Sequence, residues 1–181
     1  MQRLVEFATA SFGGLDVFVN NAGIAQRYVP CHTVTEAEYD RLFDVNMKSL
    51  YWCAVKAVPV MAARGGAILS TTSISAIRPR PDIAWYCASK GAVVNLTREL
   101  GAQWARHGIR VNALAPGWFR SEMTDGMWDD DASVRFVAGR CPSGREGAED
   151  ELDGALLLLA TDAGRYLVGH TLVVDGGWTA I

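Results

Sequence analysis

The sequence predicts an α/β fold built on a parallel sheet, and three observations carry that prediction. Segments with helical spacing of apolar residues alternate with short runs of β-forming residues along the 181-residue chain. Each of those runs ends in small, polar or glycine residues, the profile of strands covered on both faces. The alternation is regular, which implies βαβ units rather than separate blocks of helix and strand.

Leu4, Val5, Ala8 and Phe12 share one side of a helix over residues 2–12, stopped by Gly13-Gly14. Residues 15–20 read as the first strand. Thr35 and Glu38 form a capping box. It opens a single long helix reaching about Ala63, apolar on several faces and bent near its end by Pro59. Gly65-Gly66 introduces a second strand over 67–72. A loop containing Pro79 and Pro81 leads to a second long helix over 83–107, ended by Gly108. The third strand covers 109–115 and is closed by Pro116-Gly117. Residues 118–148 are polar and irregular, which predicts short helices and a mobile flap. A helix over 149–161 and a strand over 171–175 complete the pattern.

Composition narrows the function classes. Half of the residues are hydrophobic and a fifth are charged, ordinary for one globular domain spanning 1–181. The net charge of −3 carries no long like-charge block, so nothing favours nucleic acid or an anionic membrane as a partner. No stretch approaches the roughly 20 apolar residues of a membrane span. The N-terminal residues read as an amphipathic helix without the apolar core of a signal peptide. Cys31, Cys53, Cys87 and Cys141 form no C-x-x-C pair and show no metal-ligand spacing with His32, His107 and His170. Free thiols and a cytoplasmic location are expected.

Four segments carry candidate chemistry, each at a strand's carboxyl end or on a helix beside it, where ligands bind in open α/β sheets. Asn20-Asn21-Ala22-Gly23 lets backbone approach a flat ligand, though it also reads as a plain turn. Tyr86 and Lys90 lie at i and i+4 and share a helix face. An ammonium close to a phenol favours the phenolate, yet an isolated Y-x-x-x-K is also a tyrosine laid along a lysine stem. The hydroxyls ending at Ser73 could donate to a developing oxyanion or simply cap a loop. Asn46, a polar amide among apolar helix residues, could equally be a packing asparagine linking two helices.

Taken together, these segments resemble the short-chain dehydrogenase/reductase family over residues 1–181. N-N-A-G falls on Asn20 to Gly23, the helical asparagine on Asn46, and Y-x-x-x-K on Tyr86 and Lys90. The family serine, 13 residues before the tyrosine, falls on Ser73. A-S-K-G-A-V around Lys90, I-R-V-N-x-L-x-P-G at 109–117, Pro-Ser-Gly-Arg145 and Val-Asp-Gly-Gly177 also match. The resemblance implies a Rossmann-like doubly wound parallel sheet and NAD or NADP as cofactor. The implied activity interconverts a secondary alcohol and a ketone, with a small-molecule alcohol or ketone as substrate. Tyr86 would be the acid-base group and Ser73 would bind the same substrate oxygen. Lys90 would hold the nicotinamide ribose and depress the Tyr86 pKa, and Asn46 would hold a water linking Lys90 to solvent. Asn20, Ala22 and Gly23 would line the adenosine side of the cofactor. Pro116, Gly117, Phe119 and Ser121 resemble P-G-x-x-x-T, with Ser121 in place of threonine. A homo-oligomer through the two long helices is implied as well.

The sequence also departs from the family at its N-terminal side. The glycine-rich T-G-x-x-x-G-x-G segment is not in it, so the sheet is expected to lack its first βαβαβ portion. The strand at 15–20 should then form an apolar open edge. An inactive fragment that acts only by associating with relatives is the alternative. Residues 118–148 and the loop 77–84 should set the substrate, with Trp85, Trp118 and Trp128 suggesting an apolar or ring-stacking pocket. The ending Asp-Gly-Gly-Trp-Thr-Ala is similar to members acting on sugar acids and polyols, and 3-oxoacyl reductases are close to it.

Overall fold

A computed structural model describes residues 2–181. Its centre is a four-stranded, all-parallel sheet: β1 (Val17–Asn20), β2 (Gly66–Thr71), β3 (Ile109–Pro116) and β4 (Thr171–Val174), in that spatial order. The helices are α1 (Gln2–Phe12), α2 (Glu36–Phe43), α3 (Ser49–Met61), α4 (Ala84–Trp104), α5 (Asp131–Ala138) and α6 (Asp153–Ala160).

Register decides which side chains build the core. Phe18 pairs with Ile68, and Ile68 with Val111, so the three form one row on one face. Ala57 and Met61 of α3 and Leu100 and Trp104 of α4 close over that row. The alternate residues Leu69 and Leu114 turn to the other face and meet Leu159 of α6. Helices therefore cover both faces of the parallel sheet, as the doubly wound reading expects. Because every strand runs the same way, all four carboxyl ends emerge on one side, and the site forms there.

The open edge is present. β1 ends the sheet, with Val17 and Val19 exposed by 40% and 46%. α1 buries Val5 but leaves Leu4, Phe7 and Phe12 in solvent.

Three sequence expectations change. The single long helix from Thr35 is two helices, α2 and α3, joined by one π-helical turn over Asp44–Lys48. The Thr35 capping box does start it: Thr35 Oγ1 accepts from Glu38 N at 3.2 Å, and Thr35 N donates to Glu38 Oε2 at 3.0 Å. The extra residue in the π turn is compatible with the same apolar spacing, so periodicity alone could not show it. Residues 118–148 are not a loose flap, because Trp118, Trp128, Phe136 and Val137 pack with Trp178 and Ile74. There α5 is capped by Asp130, whose carboxylate accepts from Ala132 N and Ser133 N. The helix expected over 149–161 begins with a 3-10 turn, Glu149–Leu152, before α6. Among the described residues, no helix is long and apolar enough to cross a membrane.

Candidate active site

A cleft of about 1010 Å³ opens at the carboxyl ends of β2 and β3. Ser73, Tyr86 and Lys90 all line it, although they come from the loop after β2 and from α4. Gly23, Pro116, Gly117, Phe119 and Ser121 line it too. The structure thus gathers most of the residues singled out in the sequence on one surface.

Lys90 is 3% exposed, and its ammonium donates to the Thr71 carbonyl at 2.9 Å. Its Nζ lies 5.9 Å from the centre of the Tyr86 ring, as spacing of i and i+4 on α4 dictates. Thr72 Oγ1 donates to the Lys90 carbonyl at 2.8 Å and Ser89 Oγ to the Tyr86 carbonyl at 2.8 Å, so both helix residues are fixed from the backbone side. The start of α4 has no side-chain cap on Ile83. Gln26 supplies one from elsewhere: its Oε1 accepts from Tyr86 N at 2.8 Å.

Burial governs the titration of the pair. It lowers the Lys90 amine to about 8, because the charged form loses its water. It raises the Tyr86 phenol above its ordinary value, opposed by the Ser73 hydroxyl, which faces the phenol and favours its ionised form. The expected depression of Tyr86 by Lys90 is not what this arrangement produces. Desolvation is the largest cause of the Tyr86 shift, Lys90 is not among its causes, and the ammonium is engaged by Thr71.

Asn46 sits in the middle of the π turn, 1% exposed, beneath the cleft rather than on it. Its Oδ1 accepts from Ile24 N at 2.8 Å and its Nδ2 donates to Ile24 O at 2.9 Å, with Ser89 Oγ a further 3.4 Å neighbour. The carboxamide does link distant segments, but the partner is the turn after β1 as well as α4. Gly23 lies between the groups so held: a Cβ there would come within 3.4 Å of Lys90 Nζ and 3.5 Å of Asn46 Oδ1. Asn20 is buried and its Nδ2 has no hydrogen-bond partner, while Ala22 is exposed. Asn21, which was not singled out, is bonded to the site: Thr71 Oγ1 donates to its Oδ1 at 2.8 Å.

Sequence reasoning also passed over Gln26 and Arg80. Nothing in their local spacing marks them, since each acts through a segment distant in sequence.

Comparison with known proteins agrees with the geometry. A family model described as enoyl-(acyl carrier protein) reductase matches residues 1–179. The chain is 40% identical over 180 residues to 4-formylbenzenesulfonate dehydrogenase of Comamonas testosteroni, covering 97% of this chain and 71% of that protein. It is 38% identical over 168 residues to gluconate 5-dehydrogenase of Gluconobacter oxydans, covering 92% of this chain and 65% of that one. The crystal structure of a gluconate 5-dehydrogenase from Burkholderia cenocepacia, in complex with NADP and tartrate, superposes with a TM-score of 0.95 at 39% identity. That match covers 99% of this chain and 71% of the other. The parallel sheet, the clustered residues and these likenesses converge: the chain belongs to the short-chain dehydrogenase/reductase family, as a dehydrogenase/reductase of that type.

Proposed function

We propose that the cleft interconverts a secondary alcohol and a ketone with NAD or NADP, using Tyr86, Ser73 and Lys90. The observation that carries this reading is the shared placement of those three residues on the cleft, with the Ser73 hydroxyl facing the Tyr86 phenol. The residues present fit the reacting end of a dinucleotide. A buried amine, the Gly23 backbone beside it and the Pro116–Ser121 loop border one cleft. NADP in the Burkholderia relative supports the same cofactor class. Lys90, Tyr86, Gly23 and the Pro116, Gly117, Phe119 and Ser121 stretch would hold the cofactor, with Asn20 and Ala22 towards its adenosine side.

Hydride would be supplied or accepted by a nicotinamide dinucleotide when one is bound. Tyr86 gives its proton to the substrate oxygen in reduction and takes it back in oxidation. The Ser73 hydroxyl donates a hydrogen bond to the same oxygen, which gathers negative charge as the reaction proceeds. Lys90, when protonated, holds ribose hydroxyls and favours the ionised phenol. Asn46 is a positioning residue: by clamping Ile24 it fixes Gly23 against Lys90, and a water passing protons from Lys90 to solvent would sit in this region.

We extend the proposal to one domain over 1–181, to a homo-oligomer through α3 and α4, and to a cytoplasmic setting. Tyr51 and Trp52 on α3 are exposed by 36% and 44%, which supports the oligomer. Among the described residues no disulfide joins the four cysteines, which supports the setting. A second reading, a non-catalytic chain working by association with relatives, is favoured by the open β1 edge and the exposed apolar residues of α1. Calorimetry of the purified chain with NADP separates the two. Binding supports the enzyme, and no binding together with association into full-length relatives supports the second reading.

A further inference from the structure

Arg80 stands in the loop between β2 and α4 and lines the same cleft as Ser73 and Tyr86. Its guanidinium carbon lies 4.8 Å from the centre of the Trp118 ring, 5.0 Å from Phe136 and 5.3 Å from Tyr28. Nη1 also donates to the Tyr28 hydroxyl at 3.2 Å. Three rings from three separate segments therefore hold one cation.

No carboxylate among the described residues lies within ion-pair distance of that cation, whereas Arg120, also on the cleft, is held by Glu146 at 3.1 Å. Glu122 and Asp125 line the cleft but do not pair with Arg80. Arg78, two residues before it, is engaged by the Trp178 carbonyl at 2.6 Å.

The loop is built to present Arg80. Asp82 adopts a φ of 63°, a left-handed conformation that side-chain-bearing residues avoid. Its carbonyl there accepts from Gln26 Nε2 at 3.0 Å and Val29 N at 3.1 Å. Gln26 is the residue that caps Tyr86. One hydrogen-bonded frame thus positions both Arg80 and the phenol. Rings hold a guanidinium through its charge and use up few of its five N–H donors, here one to the Tyr28 hydroxyl, so the others can meet a planar or tripodal oxyanion.

We propose that Arg80 is a specificity residue that binds the anionic group, carboxylate or sulfonate, of a substrate whose ketone or alcohol oxygen is presented to Tyr86. The substrate class is then a keto or hydroxy acid. This rests on the reading of the cleft as a reduction site, and the test keeps the two apart.

The full chain, with NADP present, is titrated calorimetrically with 4-oxocyclohexanecarboxylate and 5-oxohexanoate, and with the uncharged primary amide of each. The wild-type chain should bind at least one acid roughly 10- to 100-fold more tightly than its amide, the span of one charge-assisted bidentate contact. Arg80→Met keeps the bulk against the rings. It should erase that preference while amide affinity changes less than about twofold. Arg80→Lys keeps the charge without the fork and should recover part of it. Equal binding of acid and amide by the wild-type chain in both pairs, or no binding of either acid, overturns the proposal. So does an Arg80→Met chain that keeps the preference or loses both ligand types alike. Tyr86→Phe is measured in parallel. Unchanged turnover there removes the catalytic reading, while an Arg80-dependent acid preference stands independently.

Discussion

The Asn46 carboxamide grips both polar atoms of the Ile24 backbone, accepting from its N–H at 2.8 Å and donating to its carbonyl at 2.9 Å. A side chain here does what a neighbouring strand would do, pairing with both backbone groups of one residue in the turn after β1. The π turn is what brings it there. Asn46→Ala leaves two partly buried backbone groups unpaired and should cost about 1–3 kcal/mol in urea unfolding. A change below about 0.5 kcal/mol would mean that the clamp is idle.

Tyr86→Phe removes the phenolic proton and keeps the ring. Turnover should fall by about 10²–10⁴-fold, with cofactor affinity within about twofold of wild type. Steady-state kinetics and calorimetry together check both parts. Because burial raises the phenol's pKa, ketone reduction should hold level through neutral pH and fall only in alkali, while alcohol oxidation should rise with pH.

Lys90 makes stability depend on pH with a defined sign. Its folded pKa, about 8, lies below the ordinary 10.5, so between those values the unfolded chain binds more protons than the folded one. Stability should rise with pH across that window and level off beyond it. Below the folded pKa both states are charged, and the full penalty of about 3 kcal/mol is present. Lys90→Met should flatten this slope in denaturant titrations across the window, and a slope left intact would assign it to another group.

Gly117 has no room for a side chain, since a Cβ would lie 2.6 Å from the Cα of Asp175. Gly117→Ala should push the ends of β3 and β4 apart and destabilise the chain by about 1–3 kcal/mol. Thermal unfolding reads this directly, and an unchanged midpoint would show that the approach can relax.

The exposed β1 edge should promote self-association. Val19→Lys puts a charge on it and should reduce light scattering at a given concentration. Equal scattering from both proteins would place the sticky surface elsewhere, with the apolar residues of α1 next to be tested.

The sequence by itself determined the order of helices and strands, the parallel sheet and the candidates Ser73, Tyr86 and Lys90. Those features are local: apolar periodicity sets an element, a capping box or glycine ends it, and i to i+4 spacing puts Tyr86 and Lys90 on one face. The tertiary structure alone decided the π turn that breaks the first long helix and the Asn46–Ile24 clamp it allows. It also decided the burial that sets the titration of Tyr86 and Lys90, and the cage of Tyr28, Trp118 and Phe136 around Arg80. The physical reason is the same in each case. Desolvation and long-range hydrogen bonds depend on which distant segments meet, and no window of neighbouring residues contains that information.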